Sequence, residues 1–377
     1  MTRWVVAAGD FTPLGGMDRA NYALAQHLAA AGREVHLVTH RVWPPLTATP
    51  GVVVHRVPRP LGSHLLGAPL LSRAASRVAT PLGPAARLLA NGGNTRWHAP
   101  TWIHYLHAAH TPRIAAGLRA RATAATGRQM FLAREREALT RASTIICNSQ
   151  RTAADVQRCY GVSRDRVRVV YYGIDGGTFG PVPRAERAEA QRTLGLDSRR
   201  RAALFIGALG DRRKGFDLLF DAWRTLAASH DWNVDLVVVG TGAEVDGWQR
   251  RVNGAGLSTG ISFLGFRSDI AHVIAACDVL VHPARYEAYG LGVHEALSRG
   301  LPVIVSSSAG VTERIPADLC PLLLPEPPDV NQLVARLRLW HSDEARWRER
   351  AAAAGDVLRK RTWDDMAEDI VRIVEHA

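Results

Sequence analysis

Apolar runs long enough to cross a bilayer are missing from this 377-residue chain, although 47% of it is hydrophobic. The apolar residues therefore belong to buried cores rather than membrane spans. Cysteine is scarce: Cys147, Cys159, Cys277 and Cys320 are scattered, without metal or redox spacing. That excludes a disulfide scaffold and reads as reduced thiols. Lysine is scarcer still, with only Lys214 and Lys360 in a chain of formal charge +12. Acids are few in the first 176 residues, which carry eight against 22 arginines, whereas residues 177–377 are close to neutral. The basic half is expected to attract an anionic membrane surface or an anionic acceptor. Nucleic acid is not expected as a partner. The opening MTRWVVAAGD enters a turn too soon for a secretory leader, so the expected location is the cytoplasm, with peripheral contact at the inner membrane face.

What is present is an alternation of short apolar runs and helical periodicities in two series, the pattern of paired α/β domains. The length also exceeds what one core usually organises. Strands are expected at Trp4–Ala8, Val35–Thr39, Val52–Val57, Trp102–His107, Thr144–Asn148 and Arg168–Tyr172. Residues 61–100, rich in Pro, Gly and Arg, resist a reading. Gly173–Arg184, with four glycines and two prolines, reads as a linker. A second series follows, from Ala203–Ala208 to Val303–Ser307, and three helices close the chain.

The most informative stretch is His282–Val303, HPARYEAYGLGVHEALSRGLPV. It reads as a buried strand, a glycine-punctuated acidic loop, a helix and the start of another strand. Glu287 falls in the loop and Glu295 inside the helix, with Gly290 and Gly292 between them. Glycines at a helix start let bare backbone N–H groups approach an anion. Carboxylates beside a phosphate cradle are suited to accept sugar hydroxyls, which suggests a nucleotide-sugar pocket. The stretch resembles the Glu-x7-Glu signature of retaining glycosyltransferases of family 4, down to Pro283 and the Gly-Leu-Pro-Val run. The resemblance implies the GT-B fold: two Rossmann-like parallel-sheet domains facing a central cleft. Residues 1–176 would form the acceptor domain and 177–360 the nucleotide-sugar domain, with a last helix at about 361–377 crossing back to the first.

The same resemblance assigns residues. It puts Glu287 near the donor sugar and Glu295 on the nucleotide ribose, with Tyr289, Gly290, Leu291 and Gly292 forming the donor turn. In Gly207–Gly215, GALGDRRKG, Lys214 fits the family's Lys-Gly and would neutralise the leaving diphosphate. The arginine usual six residues earlier is replaced by Ala208, leaving Arg212 or Arg213 to reach that phosphate. Gly15 and Gly16, in FTPLGGMD, resemble the family's N-terminal Gly-Gly loop near donor phosphate and acceptor. In HYLHAAH, His107 is the first candidate for the strand-end histidine that approaches the donor sugar, and His104 the second. Phe266 and Arg267 fall where the family holds the base.

The expected chemistry is transfer of a hexose, with retention, from a nucleotide-diphosphate sugar to a glycan, lipid or small-molecule acceptor. No Asp-x-Asp signature is present, so neither a metal nor another cofactor is expected. Two rival readings use the same fold: a nucleotide-sugar epimerase, and a pseudo-transferase that binds without turnover.

Overall fold

The computed structural model of the chain describes residues 2–111, 118–210 and 212–377. They form two compact units: one gathers the described residues up to Gly173 together with Arg361–Ala377, the other spans Ile174–Lys360. In the first unit the strands are β1 (Arg3–Ala7), β2 (Asp10–Phe11), β3 (Glu34–Thr39), β4 (Arg41–Val42), β5 (Val52–Arg56), β6 (Arg87–Asn91), β7 (Thr101–Ile103), β8 (Ile145–Cys147) and β9 (Val167–Val169). Seven of them make a sheet in the order β5-β3-β1-β6-β7-β8-β9, while β2 and β4 form a separate pair. Every pairing is parallel, with Val5 opposite His36 on one side and Leu88 on the other. Trp4–Ala7 in β1 are buried on both faces, as the continuous apolar run requires of a central parallel strand.

One unread stretch takes shape here, and one expectation needs correction. Residues 61–100 are ordered structure: a helix at His64–Leu82, then β6, which lies directly beside β1. The strand expected over Trp102–His107 stops at Ile103, where its pairing with β8 ends, and His107 instead opens a short 3-10 turn.

The closing helix Trp363–Glu375 belongs to the first unit and packs on the Gly16–Ala30 helix. A capping box between Thr362 and Asp365 starts it, and Met366, Ala367, Ile370 and Val374 are buried on its apolar face. His27 and Arg33 then bond Asp364 and Glu375 at 2.9 and 3.1 Å.

The second unit holds β10 (Arg201–Ile206), β11 (Val234–Val239), β12 (Ile261–Gly265), β13 (Val279–His282) and β14 (Val303–Val305), all parallel, in the order β12-β11-β10-β13-β14. The order reverses between β10 and β13. In open α/β sheets such a switch point, at the carboxyl ends of the two strands, is where ligands bind. The loops leaving those ends are Gly207–Gly215 and Pro283–Gly290. Among the described residues no helix is long and apolar enough to cross a membrane.

Candidate functional site

In the second unit the two switch-point loops are locked together. Gly215 has φ +76°, and a Cβ there would sit 1.9 Å from the Pro283 carbonyl oxygen, so only glycine fits. Arg285 fixes the other side: its backbone N–H donates to the Arg213 carbonyl at 2.8 Å, and its guanidinium grips Asp217 at 2.7 and 2.8 Å. This places Lys214 against Glu287, with the ammonium donating to Oε2. His282, at the end of β13, donates from Nε2 to the same oxygen at 2.9 Å.

The electrostatics follow from that geometry. Burial pushes the Glu287 carboxyl up, but the Lys214 charge and then the His282 hydrogen bond outweigh it, holding it well below the usual carboxylate range. Burial also holds His282 below its ordinary value, more than Glu287 raises it, so the ring is neutral at neutral pH. Glu287 is thus an anion shared between one cation and one neutral donor. Arg213 lies alongside, donating to the Tyr286 carbonyl at 3.3 Å, and its charge further favours ionised Glu287. Ala208 is exposed in the same loop, and Asp211 lies outside the described residues.

The Leu291–Ser298 helix begins beside this cluster. Its N-cap is Gly290, at φ +105°, which offers no side-chain cap to the first-turn N–H groups. A Cβ on Gly290 would press on Val311 and on Glu287 at 3.2 and 3.3 Å, so the helix start is packed against the carboxylate stem. A Cβ on Gly292 would meet only Ile206, at an ordinary contact distance of 3.8 Å. Glu295 lies on this helix and is buried. Tyr289 and Leu291 are buried too; the Tyr289 hydroxyl meets His294 Nδ1 at 3.0 Å, a packing role rather than an open contact surface. Phe266 stands out from the end of β12, 65% exposed, and Arg267 beside it forks onto Asp269.

The first unit holds a separate cavity lined by Asp10, Asp18, His40, His64, His107 and Glu135, among others. Gly15 caps the helix that carries Asp18, with φ +82° and open space around it, and Gly16 is its first residue. His107 is partly exposed and anchored twice to buried Glu135, through its backbone N–H at 2.7 Å and Nδ1 at 3.0 Å, while its ring stacks on Phe131. His104 is buried, pushed down to about 3 by desolvation, and bonded through Nδ1 to the Tyr172 hydroxyl. Both histidines line the cavity, and His107 is the more exposed of the two. Asn148 steadies the other by donating to the His104 carbonyl and the Tyr172 hydroxyl. Ser149, beside it in sequence, caps the next helix through Thr152 N–H at 3.0 Å.

Sequence reasoning missed His282 and Glu135. A signal existed for each: His282 closes a buried strand five residues before Glu287, and Glu135 is the first acid after Glu34.

Two parallel-sheet units of this topology define the GT-B class of glycosyltransferase. The structure of WaaG, a glycosyltransferase involved in lipopolysaccharide biosynthesis, aligns with a TM-score of 0.79 at 21% identity over 99% of each chain. Anabaena HepE, solved in complex with UDP-glucose, aligns at 0.72 and 18% identity over all of both chains. The family is visible in the sequence as well. Residues 14–176 match the model for Glycosyltransferase Family 4, and residues 186–356 the model for Glycosyl transferases group 1. The chain belongs to the group 1 glycosyltransferases of family 4. It is 30% identical over 250 residues to the 2-deoxystreptamine N-acetyl-D-glucosaminyltransferase of Streptomyces fradiae, covering 66% of this chain and 58% of that one. It is 27% identical to a D-inositol 3-phosphate glycosyltransferase of Stackebrandtia nassauensis, over 95% of this chain and 86% of that one. Across the first five curated relatives the match spans only 50% to 60% of their length.

Proposed function

We propose that the protein transfers a hexose, with retention and without a metal, from a nucleotide-diphosphate sugar to an acceptor. The observation that carries this reading is the Lys214–Glu287–His282 cluster beside an uncapped helix N-terminus. A departing diphosphate needs positive charge that is already in place when negative charge develops. Lys214 supplies it, held by Glu287 until the donor arrives. Arg213 stands in for the arginine absent at position 208, and the Gly290–Gly292 amides add the positive end of the helix. Glu295 takes the ribose, and Phe266 and Arg267 flank the base. Glu287 and His107 are assigned to the sugar, and Gly15–Gly16 to the phosphate side. The UDP-glucose bound by HepE supports a nucleotide-sugar donor.

The test is a panel of UDP-, GDP- and ADP-sugars. The expected result is a raised Tm with one of them, since preferential binding to the folded state stabilises it. Transfer to an added acceptor, giving a product with the donor's anomeric configuration, completes the assignment. Sugar interconversion without any acceptor would instead identify an epimerase, and nucleotide binding without turnover a pseudo-transferase. No stabilisation by any donor would sink the reading.

A further inference from the structure

Residues 35–134 contain twelve arginines and no aspartate or glutamate. Within the first unit, some of these arginines converge. A groove runs between the His64–Leu82 helix, the Gly92–Asn94 turn and the Leu118–Arg141 helix, lined by Arg73, Arg77, Arg96, Arg134, Ser72 and Thr95, among others. Arg73 and Arg77 are one helical turn apart, a spacing at which like charges repel. Their helix has no acid, and neither arginine has an acidic partner among the described residues. Gly93 brings the third wall close, since a Cβ there would meet the Glu135 N–H and the Arg134 stem at 3.3 and 3.4 Å.

Arg134, partly buried, lines the same groove. One of its terminal nitrogens is buried without a hydrogen-bond partner. Burial and then the neighbouring Arg96 charge hold its guanidinium below the ordinary arginine value, so the two cations are close enough to repel. The one carboxylate on the groove, Glu137, is divided between Arg96 at 2.9 Å and Arg141 at 3.5 Å. A cluster of cations with a buried unmet donor is costly when empty and favourable around a multivalent oxyanion. Arg134, Gly93 and Ala68 also line the His107 cavity, so the groove and that cavity share a wall.

We infer that this arginine groove binds a phosphate ester on the acceptor, beside the cavity that takes its reacting sugar or alcohol. The inference rests on the proposed transferase reading for the word acceptor, but the anion site stands on its own residues. Ser72 and Thr95 supply hydroxyl donors to the ester oxygens, and Arg134 a partly buried guanidinium. Specificity then comes from charge: an acceptor without the ester leaves the guanidinium groups unmatched.

The test measures binding, so it does not depend on turnover. The full chain is titrated with a hexose monophosphate, the matching free hexose, inorganic phosphate, and vesicles of phosphatidylcholine with or without phosphatidylglycerol. The hexose monophosphate, the phosphatidylglycerol vesicles, or both should bind at least tenfold more tightly than the uncharged counterpart, and progressively less as salt is raised. Saturable binding of the soluble ester names a sugar phosphate as source; binding of charged vesicles alone names a lipid headgroup. R73A/R77A and R134A should each lose at least tenfold in that binding, with R73K/R77K retaining most of it and cooperative melting preserved throughout. Stabilisation by nucleotide sugars should be unchanged in R73A/R77A. Equal binding of charged and uncharged probes, or full binding by R73A/R77A, would overturn the inference. Loss of nucleotide-sugar binding from the parent chain, with ester binding intact, would instead count against the transferase reading alone.

Discussion

The two units handle charge in opposite ways. In the second, Lys214, Glu287 and His282 satisfy one another. In the first, cations crowd around a groove with too little anion, and in the cavity next to it Asp18 lies near Asp10, which Arg41 holds at 2.9 Å. A pre-paired cluster suits a group that is always the same, such as a diphosphate, because the side chains are already ordered when it arrives. An unbalanced one suits a ligand that brings the missing charge itself. On the proposed reading, the contrast separates a fixed donor site from a variable acceptor site.

The largest way to break that contrast is Lys214→Ala, which removes the cation but leaves the strand and helix untouched. Its kcat should fall about 100- to 1,000-fold, as for loss of one preorganised charge stabiliser, with a smaller change in donor affinity. Steady-state kinetics with unchanged kcat would remove Lys214 from the mechanism. Next comes Gly215→Ala, which tests whether the loop lock holds the lysine in place. The clash with Pro283 should cost roughly 2–3 kcal/mol in chemical denaturation, by backbone strain at positive φ. A smaller effect is expected of Glu295→Ala. Nucleotide affinity by calorimetry should weaken about tenfold, or ~1.4 kcal/mol, and an unaltered Kd would place the ribose elsewhere.

The smallest effect sharpens the picture of the first unit. Burial, then the nearby Asp10 charge, pushes Asp18 from 3.8 to about 6. The folded state therefore holds that proton more tightly than the unfolded state. The resulting stability is present below the unfolded pKa of 3.8 and is lost as pH rises through about 6. Asp18→Asn removes this dependence. The variant should gain on the parent by on the order of 1 kcal/mol between acidic and neutral pH, and parallel stability curves would refute the assignment.

Much of the second unit was legible in the sequence because its chemistry is local. Glu287, Gly290 and Glu295 lie on one strand–loop–helix segment, and Lys214-Gly215 closes the neighbouring loop. What brings them together, the Arg285 grip on Asp217 and the Gly215 contact with Pro283, spans about seventy residues and leaves no periodic trace. The first unit was harder to read. The His64–Leu82 helix contains Pro69 and Pro81 and buries only Gly67, Leu71 and Ala75 among its residues, a thin apolar stripe with two apparent breakers. It was therefore invisible, and with it the place of β6. His107 is a candidate the sequence offers, but its tether to Glu135 is not, because Glu135 lies on a distant helix.

The Trp363–Glu375 helix has a consequence for how the chain is made. It completes the packing of the first unit, yet the whole of Ile174–Lys360 is synthesised before it emerges from the ribosome. A chain truncated after Lys360 should leave the apolar face of Gly16–Ala30 uncovered and vulnerable to protease, while Ile174–Lys360 already resists digestion. Assembly would then run in reverse of translation, with the half begun earliest maturing last and depending on holdase chaperones in the interval.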